Sequence, residues 1–338
     1  MSGRYLVTGG AGFVGSHLVA ALLDRGDKCV VLDNYSTGHR GGVLPGAHAI
    51  ELDLVDVAAL DRVLADGPWD AVFHFAALSL VGESMREPMR YLGDNYGNGV
   101  RLIDACVRHG VNRFVLSSTA ALFGRPTTPR LDEESPIEPV SPYGESKWLI
   151  ERALAWADRI HGLRYATLRY FNAAGSDPAG RLGEAHNPET HLIPLVIDTA
   201  LARRPELVVF GNDYDTPDGT CIRDYVHVAD LADAHLLALT QLDRGSVAYN
   251  LGNGGGASVM EVIRSVERVS GLQVPYRITG RRAGDPAILV ADPGRIVRET
   301  GWSPRFAALD DIVRTAFAWR SAHPFGYDNS DTKPASPA

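Results

Sequence analysis

The chain has 338 residues, 45% of them apolar and 22% charged, with a formal net charge of −8, which is ordinary globular usage and argues against disorder. Lysines and arginines are scattered instead of clustered, which excludes a basic footprint for nucleic acid or an anionic membrane. No run approaches the ~20 apolar residues of a membrane span. The three cysteines, Cys29, Cys106 and Cys221, are far apart, as expected of reduced thiols in a cytoplasmic protein, and give no disulfide framework or metal site.

The opening MSGRYLVTGG has neither the charged leader nor the apolar core of a signal peptide. In chain order, β-rich runs at 5–7, 29–33, 71–75, 114–118 and 165–170 alternate with helical periodicity at segments such as 17–25 and 99–109. That alternation predicts an α/β fold with a doubly wound parallel sheet. After Asn172 the texture changes to loops rich in Gly, Pro and Asp, including AAGSDPAGRLGEAHNPE and FGNDYDTPDG. These read as a smaller mixed α/β lobe at the carboxyl ends of the strands, where open α/β sheets bind ligands.

The first turn, LVTGGAGFVGSH, carries Gly9, Gly10, Gly12 and Gly15 between a strand and a helix. Gly10, Gly12 and Gly15 fit the dinucleotide fingerprint, and Gly9, Gly12 and Gly15 fit its longer variant. Glycine is needed there for a tight turn, for approach of the backbone to a pyrophosphate, and for close packing of the helix, whose N-terminus faces the phosphates. The next strand, CVVLD, ends in Asp33. A carboxylate there accepts from adenosine ribose hydroxyls and repels a 2′-phosphate, so NAD is expected over NADP. Asp53, in ELDL, either reaches the adenine edge or caps a helix. The expected division is a Rossmann domain at 1–171 with a returning segment near 222–265, a ligand lobe mainly at 172–330, and a tail at 331–338.

In SPYGESK, Tyr143 and Lys147 stand at i and i+4. On a helix that spacing shares a face, so the ammonium can stabilise a tyrosinate and lower the phenol pKa. Such a tyrosine exchanges a proton with an alcohol while hydride moves to nicotinamide. FVLSSTAALFG brings Ser117, Ser118 and Thr119 to a strand end, where one hydroxyl can orient the reacting oxygen or all three can be ordinary turn residues. Phe210 ends an apolar run, where a lone Phe is usually core. His227 and His235 lack spaced partners for a metal and are expected to be structural.

With these motifs the chain resembles the extended short-chain dehydrogenase/reductase family, and within it the sugar-nucleotide 4-epimerases. The resemblance runs from Tyr5 to about Tyr327 through VTGGAGFVGSH, LDN, HFAALSLVGES, SSTAALFG, SPYGESK, LRYFNAAG, FGNDYDTPDGTCIRDYVHV, YNLG and RRAGD. It implies interconversion of UDP-galactose and UDP-glucose by inversion at C4, through a 4-keto sugar and a tightly held NAD. It also implies that Thr119 fills the catalytic Ser/Thr position, Tyr143 the acid/base, and Lys147 the residue that binds nicotinamide ribose and tunes the tyrosine.

Further implied cofactor contacts are Phe13, Val14, Asn34, Leu54, Phe75, Ala76, Ala77, Asn95 and Tyr170, beside the glycines, Asp33 and Asp53. Asn172, Arg223, Tyr225, Arg282 and Asp285 match uridine- and diphosphate-binding positions, with His191, Leu192, Val208, Phe210 and Leu289 completing the implied substrate pocket. Two arginines can clamp a diphosphate and Asp285 can accept from ribose hydroxyls; the alternative for the arginines is surface ion pairing. A homodimer is also implied, formed through the helices near 99–109 and 143–160, whose apolar faces either pair with a symmetry mate or are covered by the sheet of their own chain.

Two positions depart from the pattern. Ser79 stands where some members carry lysine, and Leu289 stands where relatives have a bulky Tyr or a smaller Cys or Ser, which leaves N-acetylated UDP-hexoses open. Family dehydratases place Asp-Glu directly after the strand-end Thr, whereas Ala120 and Ala121 stand here. Alanines cannot transfer the protons that dehydration requires. A cofactor-binding regulator without chemistry has no need of the Tyr–Lys pair.

Overall fold

The computed structural model describes residues 2–124, 128, 130–282 and 284–327; the expected tail at 331–338 lies outside them. Seven parallel strands form the main sheet, in the order Val247–Leu251, Arg164–Tyr170, Arg113–Thr119, Ala71–His74, Arg4–Thr8, Lys28–Asp33 and His48–Glu51. The chain starts mid-sheet, builds to one edge, then returns to build the other half. The order therefore reverses between Arg4–Thr8 and Ala71–His74, and the crevice outside their carboxyl ends is the binding position in such sheets.

Both faces are covered, so the strands are apolar on both sides. Val7, Val31, Phe73, Val115 and Leu168 face one core with the Phe13–Asp24 and Val228–Gln241 helices. Leu6, Val30, Val72, Phe114 and Leu116 face the other, with the Val57–Ala65, Asn98–Arg108 and Pro142–His161 helices. Each fully buried Leu, Val or Phe contributes about 1.5–3 kcal/mol. The edge strands His48–Glu51 and Val247–Leu251 are absent from the β-rich runs read in the sequence; the first is mostly exposed and has little apolar pattern to read.

A third core lies outside the sheet, where the Leu192–Ala200, Val259–Ser270 and Leu309–Ala322 helices pack around Ile197, Val209, Val262, Val266 and Val313. A small fourth cluster, Ala120, Leu122, Phe123 and Leu131, sits against Trp148, Phe171 and Leu289. It joins the end of the Arg113–Thr119 strand to the second lobe. Among the described residues, no helix is long and apolar enough to cross a membrane.

Candidate active site

The glycine turn is built for contact, not flexibility. Gly9 has φ +71°, and a Cβ there would stand 2.4 Å from the Ala76 amide nitrogen; a Cβ on Gly15 would stand 2.2 Å from the Gly9 carbonyl oxygen. The first places the turn against the end of the Ala71–His74 strand, across the point of reversal. The second seats the Phe13–Asp24 helix on the turn, with its N-terminal amides directed to the crevice. This cradle fits a dinucleotide pyrophosphate.

Asp33 is 7% exposed and accepts from the Ala11 and Tyr35 amides, each at 2.9 Å, so it braces the glycine turn at the position expected for the ribose. Burial raises its pKa, opposed by those two amide bonds. Asn34 donates to Asp53 at 2.9 Å. Asp53 is exposed at the rim, and Asp56, not Asp53, caps the following helix by accepting from Ala59. Leu54 belongs to the core below. Phe75 and Ala76 donate their amides to the Thr8 carbonyl; they and Ala77 line the strand end, half-buried. The Phe75 ring lies 4.9 Å from that of buried His235.

The Pro142–His161 helix starts where the chemistry is expected. Ser141 caps it by accepting from the Gly144 amide, with Pro142 in the first turn. A Cβ on Gly144 would stand 2.5 Å from the Ala121 carbonyl oxygen. The missing side chain lets this helix lie on the turn after Thr119, and the Thr119 hydroxyl hydrogen-bonds Tyr143 and pulls its phenol pKa down.

That pull loses to burial, and the Tyr143 pKa is raised. The sequence-based expectation that the Lys147 ammonium lowers the phenol pKa is therefore not met by the protein groups. Lys147 is 2% exposed and its Nζ donates to the Ser117 carbonyl at 2.8 Å. Burial lowers its own pKa to about 8, against the nearby Glu151 carboxylate. Ser117 bonds Tyr170, and Ser118 donates to Glu151, so of the three strand-end hydroxyls Thr119 is the one that acts on the phenol.

Asn95 lies in a π-helical turn, 1% exposed. Its amide donates to the Leu78 carbonyl and Ser146 Oγ and accepts from the Leu78 amide. Both of its amide hydrogens are thus spent tying the 75–78 loop to the Tyr143 helix. Ser79 is exposed.

On the second lobe, Arg223 donates to the Ile222 carbonyl and pairs with Asp285 at 3.1 Å. Asn172 donates to the Asp224 carbonyl at 2.8 Å, and Tyr225 is buried. Leu289 pairs in register with Arg223 and packs on the cluster beside Thr119. Arg282 lies over the Phe210 ring at 4.7 Å. Phe210 is 40% exposed, so it is not a core residue. Val208 is half-buried on the same strand. His191 and Leu192 start the Leu192–Ala200 helix.

Three features were not read from the sequence. Asp224, fully buried, accepts from the Asn253, Gly254 and Ala291 amides and holds the Arg223–Tyr225 segment in place. Arg169 forks onto Glu151; its only signal was a carboxylate four residues after Lys147. Glu184, His186, Glu189 and His191 converge from one loop.

A cradle for a dinucleotide and a Tyr–Lys helix thus lie at the same end of the sheet, with alanines after Thr119. The model of the NAD-dependent epimerase/dehydratase family matches residues 5–252. The chain belongs to the NAD-dependent epimerase/dehydratase family. Within this family it is similar to a UDP-glucose 4-epimerase of Azospirillum brasilense, 50% identical over 94% of this chain and 92% of that one. It superposes on UDP-glucose 4-epimerase from Brucella ovis in complex with NAD with a TM-score of 0.91, at 43% identity over 97% and 99% of the two chains. The enzyme from Bifidobacterium longum in complex with NAD+ and UDP gives 0.90, at 35% identity over 96% and 100%.

Proposed function

We propose that this epimerase/dehydratase-family chain is a UDP-glucose 4-epimerase, interconverting UDP-galactose and UDP-glucose with tightly held NAD. The observation that carries the choice within the family is the Thr119–Ala120–Ala121 run beneath Tyr143. It provides one proton-transfer centre at the strand end and no acid–base pair for dehydration.

Bound NAD supplies a reversible hydride acceptor at the sugar C4. Tyr143 accepts the proton of the sugar O4 and later returns it, while the Thr119 hydroxyl orients that oxygen. Lys147, anchored on the Ser117 carbonyl, reaches the nicotinamide ribose. Asp33 takes the adenosine ribose, with Asn34, Asp53 and Leu54 around the adenine. Arg223 and Arg282 hold the diphosphate, Asp285 the uridine ribose, and Phe210, Val208, His191 and Leu192 the uracil side. Asn172 and Tyr225 stand beside Arg223 at the uridine diphosphate, and Leu289 bounds the hexose. Charged groups grip the nucleotide, whereas small and amide groups meet the sugar, so the ketosugar can turn over while the nucleotide stays fixed.

Residues 1–171 with a return near 222–251 form the NAD domain in this reading, and 172–330 mainly the UDP-sugar domain; the expected return as far as 265 stops short because the Val259–Ser270 helix packs in the third core. The enzyme acts in the cytoplasm, as the scattered cysteines suggest, and as a homodimer. The exposed Trp156 and Ile160 on the Pro142–His161 helix support pairing through that helix and its neighbour.

Incubating the purified protein with UDP-galactose and no added NAD tests the assignment. A stable mixture with UDP-glucose is expected. No conversion, even after NAD is supplied, would overturn it.

A further inference from the structure

The loop preceding the Leu192–Ala200 helix reads Glu184-Ala-His186-Asn-Pro-Glu189-Thr-His191, and its four polar side chains turn inward to one point. His191 Nδ1 lies 2.8 Å from Glu184 Oε1 and 3.2 Å from Glu189 Oε1; His186 Nδ1 lies 3.1 Å and 3.9 Å from the same two oxygens. All four donor atoms are within 4.8 Å of one another. Zinc bonds nitrogen and carboxylate oxygen at about 2.0–2.2 Å, so tetrahedral donors stand roughly 3.3–3.6 Å apart. The cluster spans that spacing.

The charge balance admits the same ion. Glu184 and Glu189 have side chains only 6% and 9% exposed, and two buried carboxylates that share a site need compensating positive charge. Arg320, a neighbouring cation, donates to Asp198 through Nε at 2.8 Å and a second nitrogen at 2.5 Å and to the Glu184 carbonyl at 3.2 Å, so without a metal the His191 ring, paired with both carboxylates, carries the remaining compensating charge. Arg320 stays 3.6 Å from Glu189 Oε2, which accepts no hydrogen bond although buried. A divalent ion balances both carboxylates while leaving both imidazoles neutral, the form in which histidine binds metals.

We propose that Glu184, His186, Glu189 and His191 bind one divalent transition-metal ion of the zinc type. Two imidazole nitrogens with two carboxylate oxygens in tetrahedral spacing suit zinc better than calcium or magnesium, which take six or more oxygen donors. The ion is structural, since the protein fills four positions. His186 packs edge-on to Phe13 at the glycine turn, the Ala185 carbonyl bonds His39, and His191 begins the helix of the second lobe. One ion therefore fastens the cofactor cradle to the substrate lobe.

The test uses full-length protein freed of any histidine tag, incubated with Zn2+, passed over a chelating resin and assayed by elemental analysis. Affinity is measured against a chromophoric chelator. Wild type is expected to retain about one zinc per chain, and His186→Ala and the isosteric Glu189→Gln to bind at least about tenfold more weakly, with unchanged circular dichroism. Replacement by Co2+ is expected to give the visible absorption of a tetrahedral centre, independently of the variants. Substoichiometric zinc in the wild type, or equal binding by wild type and both variants, would overturn the site.

Discussion

Arg169 and Glu151 form a buried forked pair, with Arg169 Nε and a terminal nitrogen reaching the carboxylate at 3.2 and 2.6 Å. The side chains are 6% and 5% exposed, and Ser118 fills another lone pair of the carboxylate. The pair lies one helical turn behind Lys147 and is the carboxylate that opposes its deprotonation. Removing one partner strands a buried charge, which costs about 3–5 kcal/mol. Glu151→Ala is expected to lose that much in urea unfolding, whereas the double replacement Glu151→Leu with Arg169→Met is expected to recover most of it. Equal losses in the single and double variants would show that packing, not charge, holds this site.

Tyr143→Phe removes the proton-transfer group and leaves the ring. General acid–base catalysis is worth about 10²–10⁴-fold, so kcat is expected to fall within that range, with affinity for UDP unchanged. Steady-state rates together with UDP titration check both halves.

Arg223→Ala is expected to act on binding. A charge-assisted hydrogen bond is worth about 1.5–3 kcal/mol, or roughly 10- to 150-fold in KM, with kcat nearly preserved. A comparable fall in kcat at unchanged KM would place Arg223 outside the diphosphate site.

Buried histidines set the acid limit. Burial lowers His17 and His235 to about 4 and His74 and His227 to about 3, all below the unfolded value near 6.5. Between those values the unfolded chain binds more protons, so stability rises with pH there. The contribution is complete above about pH 6.5 and is lost as pH falls toward 4. With nearly four protons taken up near pH 5, the share of these rings in the slope is on the order of 5 kcal/mol per pH unit, reduced by Asp33, Glu133, Asp224 and Asp230, whose burial-raised pKa values act in the opposite sense. Urea midpoints across pH 4.5–7 check this; a flat profile would mean that these rings are not buried neutral.

Local patterns made the front half legible. The glycine turn, the central strands and the Tyr143–Lys147 spacing each depend on residues within a few positions. What escaped depends on distance in the chain: Arg169 meets Glu151 from a neighbouring strand, and Asp224 reaches amides of Asn253, Gly254 and Ala291. The phenol was misjudged because spacing shows that Lys147 shares a face with Tyr143, but not that its ammonium is anchored on Ser117. The zinc-type cluster is local in sequence but has no periodic element to mark it. Its irregular loop hides the convergence until the side chains are placed.

The central claim is that hydride leaves C4 and returns to C4 of the same sugar, with Tyr143 alone moving the proton. UDP-galactose carrying deuterium at C4, turned over without added NAD in ordinary water, tests it most directly by mass spectrometry and NMR of the product. The account predicts UDP-glucose with deuterium fully retained at C4. Loss of the label to solvent, or its appearance elsewhere on the sugar, would contradict it.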